Sequence, residues 1–237
     1  NKNNFDNSYI LANNVDCNNR TGSQIKKMVN NTKNDIDLTV HCGFYWDKTA
    51  CFYLFRNTTL NGKAIVLFTL IDADTYKIKR GYPKIVNNNT FPGLTMNKRI
   101  KAILYGGNNI IYLINHKMFV KYDLVKKEQL VGYPKKILGN WKFLDINFQN
   151  NIDNSIYINK DTSLLFNKNK YIKYDLGLIE NNDNSPTDNY IKYSLQDEFP
   201  NIKSLDYNCI VYNYSNDIYL FFINNTYTIY NHQSKKL

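Results

Sequence analysis

The 237-residue chain lacks any apolar run able to cross a bilayer: the longest, Ala64 to Ile71, is interrupted by Thr69, whereas a membrane-spanning helix needs about 20 apolar residues. Cysteine is sparse, at Cys17, Cys42, Cys51 and Cys209. No Cys-x-x-Cys pair and no His at zinc-finger spacing accompanies them, which argues against a structural zinc site. No nucleophile elbow, Walker loop or dinucleotide fingerprint occurs. No helix cap is followed by sustained 3.6-residue periodicity, so any helices should be one or two turns long. The chain begins at Asn1 with no Met and no charged-then-apolar leader, so a leader cannot be used to assign a compartment. Arginine is scarce too: only Arg20, Arg56, Arg80 and Arg99 among 30 basic residues.

Asn, Lys, Ile, Tyr and Phe fill the space that Ala and Arg leave. These are amino acids of AT-rich codons, so the net charge of +10 reads mainly as a solvated surface and not as a specific nucleic-acid footprint. Hydrophobic residues at 43%, with 20 Tyr and 13 Phe, exclude a disordered chain. The even cysteine count without metal or redox spacing points to two disulfides and an oxidising, secretory environment. Six glycosylation sequons, at Asn19, Asn30, Asn57, Asn88, Asn213 and Asn224, accompany that reading, although so much Asn creates sequons by chance.

Residues 1–34 are polar and Asn-rich and read as an extension. From Asp35 onward, short alternating or aromatic-rich segments such as Cys51 to Phe55, Ile110 to Ile114 and Ile218 to Ile223 are separated by Asn, Asp, Gly and Lys turns, an all-β pattern. The segments repeat in four units, at about 35–99, 100–143, 144–204 and 205–237. Opening strands are expected at Ile36-Asp37-Leu38-Thr39, Ile100-Lys101-Ala102-Ile103, Leu144-Asp145-Ile146-Asn147 and Leu205-Asp206-Tyr207-Asn208. Second strands follow at Phe52 to Arg56, Tyr112 to Asn115, Leu164 to Asn167 and Leu220 to Ile223. Third strands end in Asp72, Asp123, Asp175 and Asn231, and units one and two continue into Gly81-Tyr82-Pro83-Lys84 and Gly132-Tyr133-Pro134-Lys135. Four such units are what a small propeller requires, because each blade buries its faces only against its neighbours.

An Ile-Asp-Ala-like opening, an aromatic second strand, a Tyr-x-x-Tyr-Asp third strand and a Gly-Tyr-Pro-Lys turn resemble the repeats of the hemopexin-like family, which form a four-bladed β-propeller. The resemblance covers residues 35–237. It implies a central tunnel whose innermost backbone carbonyls bind calcium or sodium, with chloride further along. The corresponding positions here are Asp37-Leu38, Lys101-Ala102, Asp145-Ile146 and Asp206-Tyr207, and oxygen ligands suit such cations. Lys101, where the pattern wants Asp, would weaken a cation or favour an anion. Haem is raised by the same resemblance, but the haem-binding member uses two propellers and this chain has one.

None of His41, His116 and His232 sits in a metal-binding cluster, and all three read as ordinary strand or surface residues. A ring of equivalent Asp lacks the asymmetry that a catalytic acid–base pair needs. Aromatics at Tyr82, Tyr133, Trp141 and Phe199 read as packing beside the Pro turns. Basic clusters stand at Lys77-Lys79-Arg80-Lys84, Lys98-Arg99-Lys101 and Lys126-Lys127 with Lys135-Lys136. The expected function is therefore a secreted, non-catalytic recognition module for a protein or an extracellular polyanion. Its rivals are a carrier for haem or a polyamine and a self-assembling structural or storage protein. A bridge between Cys42 and Cys51 is geometrically reasonable if the first two strands of unit one pair there, leaving Cys17 with Cys209, and the other two connectivities stay open. Unit four lacks a Pro turn, and Tyr9-Ile10-Leu11 is expected to supply its missing outer strand.

Overall fold

The computed structural model describes residues 39–180, 192–199, 207–223 and 226–231. The extension, Asp37, Leu38, Asp206, His232, Cys17, the sequons at Asn19, Asn30 and Asn224, and the strand expected at Tyr9 to Leu11 lie outside them.

Four antiparallel sheets make the four blades of a β-propeller. Blade 1 runs β1 (Cys42–Trp46), β2 (Cys51–Leu60), β3 (Lys63–Asp72) and β4 (Lys84–Ile85). Blade 2 runs β5 (Ala102–Tyr105), β6 (Ile110–Asn115), β7 (Met118–Asp123) and β8 (Glu128–Gln129), with β9 (Lys135–Lys136) also on β7. Blade 3 has β10 (Asn154–Tyr157), β11 (Thr162–Asn167), β12 (Lys170–Asp175) and β13 (Lys192–Ser194). Blade 4 has β14 (Cys209–Asn213), β15 (Ile218–Ile223) and β16 (Thr226–Asn231). Among the described residues the α-helices are single short turns, α1 (Ile146–Asn150) and α2 (Leu195–Glu198). The innermost strands touch in cyclic order β1, β5, β10, β14 and back to β1, so the ring is closed around an axis.

The inner strands bury both faces, because alternate side chains point at the preceding and the following blade. In β1, Cys42, Phe44 and Trp46 pack on Ile103 and Tyr105 of blade 2, while Tyr45 packs with Cys209 and Val211 of blade 4. This two-sided burial explains why the strands read as continuous apolar runs. Trp141 seals the next interface, 1% exposed, against Tyr112, Phe119 and Tyr174 at ring-centre distances of 5.5–6.1 Å. Phe199, fully buried, does the same between blades 3 and 4. The Gly-Tyr-Pro turns of blades 1 and 2 both contain a cis proline, and Tyr82 and Tyr133 pack against the core as expected.

The second and third strands stand where the repeats put them, but three of the four opening strands do not. Asp145 caps α1, accepting the Asn147 N–H, and Ile146 is 58% exposed on that helix. The strand of blade 3 opens eight residues later, at Ile152-Asp153-Asn154. An Asp followed by Asn at the third place gives α1 the side-chain cap that a strand start does not need. In blade 4 the strand opens at Tyr207-Asn208-Cys209, two residues beyond the expected register. Blade 1 opens at Val40-His41-Cys42. Blade 2, at Ile100-Lys101-Ala102, is as expected.

The Cys42–Cys51 bridge is also corrected. In the β1–β2 ladder Cys42 faces Phe55 and Cys51 faces Trp46, opposite ends of a hairpin, roughly 13 Å apart along the strand and beyond disulfide reach. Cys42, Cys51 and Cys209 are free thiols, all buried. Cys42 and Cys209 instead occupy matching first positions of adjacent inner strands.

Candidate site: a basic funnel at the mouth of the axis

The residues just before the four inner strands are His41, Lys101, Asp153 and Asn208. Each donates its backbone N–H to the second strand of its own blade, to Phe55, Ile114, Phe166 and Phe222 respectively, all at 2.8 Å. That shared bond sets four different side chains at one level around the axis, at the entrance to the tunnel. The rim above them comes from the β6–β7 and β11–β12 hairpin turns, which supply Asn115, His116, Lys168 and Asn169, and from Arg99 and Tyr207 in the segments leading into β5 and β14. Together with Asn57 and Ile100 they enclose a funnel of about 710 Å³.

Its polar network is asymmetric. Lys101 Nζ lies 3.2 Å from Asp153 Oδ1 and also bonds Asn151 Oδ1. Asn151 donates to the same Asp153 oxygen at 2.9 Å, and the Lys168 backbone N–H reaches Oδ2 at 2.8 Å. Both carboxylate oxygens are thereby occupied. Tyr207 donates its hydroxyl to the Lys168 carbonyl at 2.8 Å, and burial followed by the nearby Asp153 charge holds its phenol well above the ordinary tyrosine value. On the blade 1 side, Asn57 clasps Ile100 twice: its Nδ2 donates to the Ile100 carbonyl at 2.8 Å, and its Oδ1 accepts the Ile100 N–H at 2.9 Å. The Asn57 N–H in turn bonds His41 Nδ1 at 3.3 Å.

The other end of the axis is shut. Tyr105, Tyr157 and Tyr214 meet with ring centres 5.1–6.1 Å apart, and Tyr45 packs edge-on to Tyr214 at 5.2 Å. Burial, Tyr105 and a hydrogen bond to Asp47 push the Tyr214 phenol up, so the plug stays neutral. Among the described residues the wide opening onto the axis is the funnel.

Of the expected cation positions, Asp37, Leu38 and Asp206 lie outside the described residues, Asp145 and Ile146 belong to the α1 turn, and Lys101, Ala102 and Tyr207 stand at or beside the inner strands. The ring that would surround a calcium ion is His41, Lys101, Asp153 and Asn208, with one carboxylate already paired to an ammonium. Among the described residues no three His, Cys, Asp or Glu gather to hold a metal. Of the described sequons, Asn213 is fully buried, with its Oδ1 bonded to the Ser215 N–H, so no glycan can be attached there in the folded chain. Asn57 spends its amide on Ile100, whereas Asn88 is exposed, with its Oδ1 on the Gly93 N–H. The funnel cations Arg99 and Lys101 belong to one of the basic clusters visible in the sequence; Asp153 and Lys168 were missed. Counting back from the second strand finds them. The ring residue precedes its hydrogen-bond partner by 13 positions in blades 2 and 3 and by 14 in blades 1 and 4.

No protein-family model and no curated protein matches the chain. Solved structures do. The fold is similar to a plant lectin with two metal binding sites from Cicer arietinum, with TM-score 0.63 and 19% identity over 81% of this chain and 86% of that one. It is also similar to LS24, a seed albumin from Lathyrus sativus, at 0.59 and 18% over 81% and 85%, and to the hemopexin fold protein CP4 from cow pea, at 0.59 and 14% over 83% and 88%. The fold is the hemopexin-like propeller. At these identities the likeness carries the architecture, and the chemistry of the funnel has to be argued from its own residues.

Proposed function

We propose that the protein is a non-catalytic, secreted binding module that engages a negatively charged partner, a protein or an extracellular polyanion, through the face bearing the funnel. The observation that carries this reading is the makeup of the funnel: Arg99, Lys101 and Lys168 against a single carboxylate, Asp153, with both its oxygens engaged. Acid–base hydrolysis asks for two carboxylates with separate tasks, and a fully occupied Asp153 serves neither. Likeness to proteins named a lectin and seed albumins favours a binding or storage role over catalysis. A basic concave face with low-dielectric walls concentrates anionic partners, and its binding weakens as salt rises.

Retention on immobilised heparin tests it. The chain should elute well above physiological ionic strength, and the double variant Arg99→Gln/Lys168→Gln should elute earlier. Elution of the wild-type chain in the void volume at low salt would overturn the reading.

A further inference from the structure

The funnel holds more positive charge than the fold itself uses. Lys101 is matched by Asp153 at 3.2 Å. For Arg99 and Lys168 no carboxylate of the described residues lies within ion-pair distance, and both side chains are exposed on the rim. Arg99 also has a backbone φ of 113°, a conformation costing a side-chain-bearing residue about 1–3 kcal/mol. It is held there because the next residue, Ile100, is fixed at both its backbone groups by Asn57. A strained, exposed arginine beside an over-determined anchor is how a binding group is kept in place. Asn115, on the β6–β7 turn, also lines the cavity. A volume of about 710 Å³ suits a small molecule and is far larger than a single ion needs.

We propose that the funnel is a receptor site for a small oxyanion bearing several negative charges, of the phosphate or carboxylate class, held by Arg99 and Lys168. Arg99 provides the planar fork that matches two oxygens at once, and Lys168 provides a point charge. The Lys101–Asp153 pair stays intact and forms the floor. This inference rests on the reading of the funnel face as the binding face, and names the ligand that enters it.

The test is calorimetric titration of the full chain with inorganic tripolyphosphate, with citrate and with neutral maltotriose, at low salt. Tripolyphosphate, citrate or both should bind at one site per chain and maltotriose should not; which anion binds tells the phosphate source from the carboxylate one. Arg99→Gln and Lys168→Gln should each weaken binding about tenfold, the loss of one charge-assisted contact. Lys126→Gln/Lys127→Gln removes two charges from the far side of β7 and should leave affinity within twofold. Arg99→Lys keeps the charge and should recover part of the loss. Equal weakening in the Lys126/Lys127 variant, several anions per chain, or maltotriose binding in place of the anions would overturn the assignment. If heparin still retains the wild-type chain while neither anion binds, the recognition reading stands and the small-ligand site falls. If heparin does not retain it either, both fall.

Discussion

The Asn57 clasp gives the sharpest test of how the funnel is built. Replacing Asn57 by Ala removes two hydrogen bonds and leaves the Ile100 N–H unpaired and its carbonyl with only the long Cys42 Sγ contact at 4.0 Å, at a residue only 1% exposed. Two lost bonds to groups that water cannot reach should cost about 2–3 kcal/mol, which lowers the melting temperature of a domain this size by roughly 4–12 °C. Thr59→Ala separates this effect from loss of the sequon, because it abolishes Asn57-Thr58-Thr59 at an exposed position and should shift melting by less than about 2 °C. Asn57→Asp adds a sign. As a carboxylate it sets negative charge against the Ile100 carbonyl, whereas the protonated acid offers one donor and one acceptor, as the amide does. Its folded pKa is therefore raised, so its deficit relative to wild type should shrink as pH falls through that value. Differential scanning calorimetry of the three variants between pH 4 and 8 reads all of this. Melting of Asn57→Ala within 1 °C of wild type would refute the clasp.

Gly43→Ala in β1 would put a Cβ 2.7 Å from the Tyr53 carbonyl and 3.0 Å from side-chain atoms of Leu54 and Val211, so urea unfolding should show a loss of about 1–3 kcal/mol. Trp141→Ala empties the core between blades 2 and 3 and should cost about 3–5 kcal/mol by the same measurement. Burial pushes the Glu180 carboxyl up, but hydrogen bonds from Lys135 and Tyr133 and the charges of Lys135 and Lys121 outweigh it and hold the group below the usual glutamate value. A depressed folded pKa stabilises at pH above the unfolded value and is lost as pH falls through the folded one. Glu180→Gln should thus destabilise at pH 7 and make no difference well below pH 4, as read in acid unfolding curves. The thiols of Cys42 and Cys209 are driven up by burial. Iodoacetamide at pH 8 should label them in urea and scarcely at all in the native chain, and rapid native labelling would contradict the packing at the axis.

The blade count, the second and third strands and the Gly-Tyr-Pro turns were legible because they are fixed by local chemistry: an aromatic every second residue, a turn, a proline. The opening strands were harder because their identity lies in a position and not in a residue type. What the fold demands just before each inner strand is a backbone N–H aimed at the neighbouring strand, and any residue except proline supplies one. His41, Lys101, Asp153 and Asn208 all do so at 2.8 Å, so side-chain identity was released to vary. Searching for Asp at that place led instead to Asp145, whose carboxylate caps α1.

That freedom is what makes the mouth a plausible place for chemistry to differ among propellers that share this architecture. The interblade cores are locked by packing, with the tyrosines at the far end of the axis packed against them, and a change in the cores is felt as lost stability. A change of side chain in the ring of four leaves its backbone bond untouched and alters the field and the donors inside the funnel, although at Asp153 and His41 it also removes the acceptor of the Lys168 or Asn57 N–H. In this chain the ring carries one ammonium, one carboxylate and two neutral groups, and the adjoining rim adds Arg99 and Lys168. The charge of the site is therefore set by residues the fold does not need. Exchanging Lys101 and Asp153 should re-form the ion pair and keep the backbone bonds of the ring while moving the ammonium from blade 2 to blade 3, at the cost of the Asp153 bonds from the Lys168 N–H and Asn151. If the oxyanion is held by Arg99 and Lys168 as argued, its affinity in the swapped variant should change by less than about fivefold, under 1 kcal/mol. A hundredfold loss with unchanged melting would show that Lys101 itself is the anion's main partner.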